Sequence, residues 1–115
     1  MGHPVIHFEV TGKDAASLQK FYSAAFGWTI NADNPIHYGM VDTGGAGGIN
    51  GGVSGGEHNH GVTFYIQADD PAATLAQIEK LGGKIVAPPM EVPGGPTIAL
   101  FSDPEGHVVG LVNGM

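Results

Sequence analysis

The feature that most limits what this chain can become is an internal repeat. Val5-Ile6-His7-Phe8-Glu9-Val10 reads against Gly61-Val62-Thr63-Phe64-Tyr65-Ile66, which places Phe8 over Phe64 and Val10 over Ile66 at an offset of 56 residues. Each copy opens the same series. After the first, Leu18, Phe21, Tyr22, Ala25 and Phe26 fall at i, i+3, i+4, i+7 and i+8, one face of an α-helix, and Gly27 supplies its stop. After the second, Asp70 reads as an N-cap and Pro71 as a first helical residue. Ala72, Leu75, Ile78 and Leu81 line one face before Gly82-Gly83 ends that helix. The composition predicts three short strands in each half: near 28–31, 37–42 and 48–53, then near 84–87, 97–101 and 107–112. Asn34-Pro35, Pro93-Gly94-Gly95-Pro96 and Asp103-Pro104-Glu105-Gly106 turn the chain between them. The reading is α+β: two tandem β-α-β-β-β modules, 4–56 and 61–113, in a single domain 1–115 with a glycine-rich joint at 55–61. A lone module leaves one sheet face wet and apolar, so two must combine, within one chain or between chains, to enclose a core or cleft.

Composition excludes several function classes. Glycine supplies 20 of 115 residues, against an average of about 7%, and eight of them crowd between Gly44 and Gly56. Ile49 and Val53 interrupt that run, so it reads as a strand with bulges or close backbone approach and not as a linker. It holds neither GxGxxG nor GxxxxGK[ST], which removes the nucleotide-loop reading. Eleven acidic residues face four basic ones, all lysines, for a formal net charge of −7. Nucleic-acid recognition leans on the guanidinium fork that this chain lacks, and an acidic surface favours cationic ligands and disfavours anionic membranes. No cysteine is available for a disulfide, a thiolate nucleophile or a Cys-based zinc site, and the serines sit in no nucleophile elbow. With no charged leader and no long apolar run, a cytoplasmic protein is expected.

His7 and Glu9 lie two apart on the first strand, so both leave the face opposite Ile6, Phe8 and Val10, the expected core side. The pair suits acid/base work or ligand orientation, and equally the polar face of an ordinary strand. Thr63 and Tyr65 hold the matching positions in the second copy. His58-Asn59-His60, beside Glu57, superficially suggests chelation but reads as a solvated joint between modules. His107 is expected to hydrogen-bond nearby backbone.

The duplicated series, with HFEV opening the chain, FYSAAFGW closing the first helix, LGGKIVAPP after the second and SDPEGHVVGL at the end, resembles the vicinal oxygen chelate superfamily. That group contains glyoxalase I, bleomycin-resistance proteins and extradiol dioxygenases. The resemblance runs from Val5 to Val112 and looks closest to the small glyoxalase-like branch, where DTGG, GGINGG and VPGG occur in this order. It implies a cupped, mostly antiparallel mixed sheet, a cleft between modules and a homodimer. Thr63 and Tyr65 would then line the cleft, with an apolar lining drawn from Trp28, Tyr38, Met40, Met90 and Phe101.

Metal-dependent members take four ligands, one each from the first and last strand of each half. Carried over, the positions fall on His7, Thr63, Gly110 and, amid glycines, Asn50. Only His7 is a strong ligand, so the resemblance implies no tightly held metal and leaves His7 as the one place for a weakly bound divalent ion. Two functions remain open. One is a binding protein that sequesters a small organic or cationic compound, as bleomycin-resistance proteins do. The other is a lyase-, isomerase- or cyclase-type enzyme working through His7 and Glu9, with or without a metal.

Overall fold

Each copy of the repeat leads from a strand into a helix and then into three more strands, in a computed structural model that describes residues 2–56 and 61–114. The first series is β1 (Val5–Gly12), α1 (Ala15–Phe26), β2 (Thr29–Asn31), β3 (Gly39–Asp42) and β4 (Gly51–Gly55). The second is β5 (Gly61–Gln67), α2 (Pro71–Lys80), β6 (Lys84–Glu91), β7 (Thr97–Ser102) and β8 (Val108–Asn113). The chain divides into two compact units, Ile6–Thr63 and a second made of Phe64–Met115 with Met1–Val5. In the second unit the Gln67 N–H donates to the Pro4 carbonyl at 2.9 Å, which ties the N-terminal residues to β5.

Both helices begin as their sequences dictate. The Asp14 carboxylate accepts from the Ser17 N–H at 3.0 Å, and the Asp70 carboxylate from the Ala73 N–H at 3.1 Å, satisfying donors that have no partner inside the helix. Gly27 ends α1 in the left-handed region (φ 70°), and its N–H donates to the Ser23 carbonyl. Leu81, expected on the inner face of α2, is instead its C-cap and is 71% exposed.

Strands of the first unit run in the order β2-β3-β4-β1, with β1 and β4 parallel and the other pairs antiparallel. Register puts Phe8, Val10, Ile30, Val41 and Val53 on one face, and Val41 and Val53 are buried. On that side Trp28 packs against Phe8, Tyr22 and Phe26 at ring-centroid distances of 5.4, 5.4 and 5.5 Å. Trp28, expected to line a ligand cleft, therefore joins helix to sheet, because its ring is taken up on three sides.

The second unit has the order β5-β8-β7-β6, again with one parallel pair, β5–β8. Its core is aliphatic: Ala68, Leu75, Ala99 and Leu111 are 2% exposed or less, with Ile66, Ile78 and Phe101 packed against them. Phe101 thus belongs beneath α2 and not to a ligand surface. Phe64 departs from the repeat, since it lies outside that cluster and is 43% exposed. The edge strand β6 outruns its expected end at Ala87, with register shifts on either side of that residue, the second spanning Pro88-Pro89, which have no N–H to pair. In the turn before β8, the Asp103 carboxylate accepts from the Glu105 and His107 N–H groups and pairs with His107 Nδ1 at 2.9 Å. His107 thus partners a side chain where backbone was expected, and these bonds, led by the His107 N–H, hold the Asp103 carboxyl below its ordinary pKa. Among the described residues no helix is long and apolar enough to cross a membrane.

Candidate functional site

On the face of the first unit turned away from Trp28, strand register aligns Glu9 of β1, Gly52 of β4 and Met40 of β3 in one row. Tyr38, the residue before β3, reaches over that row. Its hydroxyl donates to Glu9 Oε2 at 2.8 Å and lies 2.9 Å from His7 Nε2. A phenol has one proton. Since that proton goes to the Glu9 carboxylate, the remaining bond requires His7 Nε2–H to donate to Tyr38 Oη. The chain of donation is His7 to Tyr38 to Glu9, and it fixes the His7 tautomer.

Three local features deliver Tyr38 to this place. Asn34 clamps it on both sides of its peptide: the Tyr38 N–H donates to Asn34 Oδ1 at 2.8 Å, and Asn34 Nδ2 donates to the Tyr38 carbonyl at 2.6 Å. His37 takes a left-handed backbone (φ 54°), a conformation uncommon outside glycine but tolerated by His, and so reverses the chain just before the ring. Gly52 is the floor, because a Cβ built there would fall inside the phenol of Tyr38. The close approach expected of the glycine run is found at this residue and at Gly51, whose missing Cβ makes room for the Phe8 ring.

His7 is 7% exposed, and burial pushes its pKa below the ordinary value near 6.5, so the imidazole is neutral at neutral pH. Besides His7, the titratable residues that register places on this face are Glu9 and Asp42, with no lysine among the described strand positions of this unit. Met40 contributes an apolar neighbour and is 49% exposed. Ser54, in register with Thr11, is buried on the same side. The result is an acidic, partly apolar surface with a hydrogen-bonded polar chain set into it.

The second unit answers with a different arrangement at the same position of the repeat. Tyr65 pairs in register with Gly110 of β8, and its ring occupies the space a Gly110 side chain would need. Tyr65 is buried, Thr63 shares its side of β5 by alternation, and Met90 of β6, in register with Ile98, is 55% exposed. Asn50 is displaced from any site: it sits in the loop before β4, where Oδ1 accepts from the Thr43 N–H at 3.0 Å and the Thr43 hydroxyl at 3.2 Å. Register identifies Gly52, not Asn50, as the first-half counterpart of Gly110, since Gly52 stands beside Glu9 and Gly110 beside Tyr65. Gly52, Asn34 and Ser54 were not singled out as site residues in the sequence. Gly52 left a trace as one glycine among many, and Asn34 as half of the Asn34-Pro35 turn signal. Residues 57–60, including His58 and His60, lie outside the described residues.

A divalent metal would draw on the first and last strand of each half. The residues present do not fit one: both last-strand positions are glycines roofed by tyrosine rings, Thr63 is a weak donor, and His7 Nε2 carries the proton it donates to Tyr38. Among the described residues no three His, Asp or Glu groups lie close enough together to hold a metal ion. Elsewhere on this unit, Ala16, Gln19, Lys20, Ser23, Ala24 and Ile30 line a shallow depression of about 530 Å³ that shares no residue with the Tyr38 row.

Comparison with known proteins gives a consistent family. The family model described as Glyoxalase/Bleomycin resistance protein/Dioxygenase superfamily matches residues 5–111. Anthracycline biosynthesis protein DnrV of Streptomyces peucetius is 28% identical over 125 aligned positions, covering 86% of this chain and 42% of that protein. The chain thus spans about two fifths of the length of the first curated relatives it matches. A glyoxylase-like domain-containing protein of Didymella fabae is 32% identical, covering 90% of this chain and 91% of its own length. Among solved structures, methylmalonyl-CoA epimerase from Mycobacterium tuberculosis superposes with a TM-score of 0.71 at 14% identity, covering 96% of this chain and 87% of that one, which is a likeness of fold.

Proposed function

We propose, from the premise that this chain belongs to the Glyoxalase/Bleomycin resistance protein/Dioxygenase superfamily, that it binds a small organic molecule, preferably a cationic one, and sequesters it without a divalent metal. The observation that carries this reading is the His7–Tyr38–Glu9 chain over Gly52. It ends in a carboxylate, lies beside Met40 and faces no lysine on its own strands, which suits an ammonium group attached to an apolar or aromatic body. Two relatives are named for anthracycline biosynthesis, so anthracyclines join simple aromatic amines and α-dicarbonyl adducts as probes.

A thermal-shift screen tests the proposal, run on the parent, Glu9→Gln and Tyr38→Phe. A ligand at about 100 times its Kd adds about 2.7 kcal/mol of stability. The expected hit is a cation whose shift is lost in Glu9→Gln and whose neutral analogue gives none. Hits that ignore both substitutions would defeat the site. The second reading, an enzyme of lyase or isomerase type, is favoured by the neutral His7 joined through a phenol to a carboxylate. Turnover of a hit, abolished in Glu9→Gln, would decide for it. A cytoplasmic homodimer belongs to the same proposal, prompted by Phe21 and Phe26 of α1, which are 60% and 62% exposed. Light scattering that stays at the 11.8 kDa of one chain at all concentrations would remove the dimer.

A further inference from the structure

We infer that Tyr38 is a metal-excluding residue: its phenol oxygen stands in the place of a divalent cation between His7 and Glu9 and ties the two together by hydrogen bonds instead. Three observations meet here. Tyr38 Oη lies 2.9 Å from His7 Nε2 and 2.8 Å from Glu9 Oε2, bridging the two donors that this unit offers on β1. A cation bound to both would sit about 2.0–2.2 Å from each, which is space the phenol already fills. The direction of donation leaves the proton on His7 Nε2, so that nitrogen cannot act as a ligand while the chain is intact. Finally, the Asn34 clamp fixes the backbone from which the ring extends and Gly52 leaves the space the phenol occupies, so the hydroxyl leaves its place only by giving up its bonds to His7 and Glu9.

The exclusion is therefore positive as well as passive. The glycine at the last-strand position supplies no ligand, and the tyrosine that lies over it disables the ligand that remains. This inference does not depend on which small molecule binds, and its test uses none.

Histidine side-chain nitrogen NMR reads it directly, with His7 assigned by its absence in His7→Gln. In the parent, His7 Nε2 should show the protonated-type shift, and Mn²⁺ in excess should leave its signals unbroadened. Tyr38→Phe removes the hydroxyl, and Gly52→Ala displaces the ring by an independent route. Either one, when its amide spectrum shows it folded, should lose the fixed tautomer and lose the His7 signals on addition of Mn²⁺. Broadening in the parent, or in no folded variant, would overturn the inference. Should neither variant fold, the parent still decides: an unprotonated-type Nε2 shift refutes the assigned donation, and a protonated-type shift untouched by Mn²⁺ upholds it.

Discussion

Beneath α2 the second unit buries Leu75, Ala99 and Leu111 to 2% exposure or less, whereas α1 buries no residue and is held by rings around Trp28. The contrast is sharpest where the repeat itself aligns the two helices. Asp14 and Asp70 cap them 56 residues apart, and the same offset sets Gln19 against Leu75. Leu75 enters an aliphatic core. Gln19 donates from Nε2 to the Val53 carbonyl at 2.9 Å, a polar anchor where its counterpart has a hydrophobic one. On the opposite faces the pattern inverts. The second unit places Tyr65 straight from its strand onto Gly110, while the first sends Tyr38 in from a loop onto Gly52 and keeps Glu9 for its hydroxyl to bond. One series of elements thus yields a unit whose helix is keyed into an aliphatic core and a unit whose helix is less deeply buried and whose polar face is organised.

The largest expected effect breaks the helix comparison. Leu75→Ala should cost about 2–5 kcal/mol, since it empties a buried leucine position among residues that are themselves enclosed. Gln19→Ala should cost about 1 kcal/mol, the net worth of one hydrogen bond. Urea denaturation of both variants checks this, and equal losses would mean that α1 is as deeply keyed as α2. Next in size are the glycines. Gly110→Ala collides with the body of the Tyr65 ring, which is buried and has nowhere to go, and should cost about 1–3 kcal/mol. Gly52→Ala meets the far end of Tyr38 instead. It should cost less, and should reveal itself in the His7 tautomer more than in the melting midpoint.

Much of this architecture was legible before any coordinates. Capping chemistry and helical periodicity are local, so Asp14, Gly27, Asp70 and Pro71 announce their helices in the sequence. Strand alternation likewise separates His7 and Glu9 from Phe8. What alternation does not say is which face will be enclosed, because that depends on partners distant in the chain. His7 is buried while Phe64 is not, and His7 is covered in part by Tyr38, 31 residues away, for which Gly52 leaves room. Trp28 and Phe101 were misassigned for a related cause: an aromatic residue suits a core as well as a ligand surface, and only the rings around it decide. Asn50 was misplaced by a register of two residues, too small a shift to read from a run of glycines. The role of Tyr38 depended on a loop clamped by Asn34, a contact without periodic signature.

A smaller effect separates the units by pH. His7 has Thr63 as its repeat counterpart, so the corresponding titration exists in the first unit alone. Burial lowers the His7 pKa in the folded chain below the ordinary value near 6.5. The unfolded chain therefore takes up the proton first as pH falls, and stability contributed by the neutral imidazole, complete above that ordinary value, is lost between it and the lower folded value. One proton limits the slope to about 1.4 kcal/mol per pH unit. Urea midpoints from pH 7.5 downward should fall in the parent and fall less steeply in His7→Gln. Parallel curves would show that the buried imidazole does not set the acid sensitivity.

The smallest expected effect is a difference between two equal-looking substitutions. Asp14→Ala and Asp70→Ala each remove a carboxylate that accepts one helix N–H, at 3.0 and 3.1 Å, and each should cost about 1 kcal/mol. The two caps are not otherwise alike. Pro71 presets the first turn of α2 and offers no N–H there, and the Thr74 hydroxyl adds a bond to the Asp70 carbonyl at 3.0 Å, whereas α1 opens on Ala15 and Ala16. The first turn of α2 therefore holds its geometry with less help from the cap, and Asp70→Ala should be the milder change by a few tenths of a kcal/mol. The comparison is clean because both aspartates are exposed and neither touches the His7–Tyr38–Glu9 chain. Denaturant midpoints resolve it if the two slopes match. A larger loss at Asp70 would mean that the second unit, for all its tighter core, depends on its helix start more than the first does.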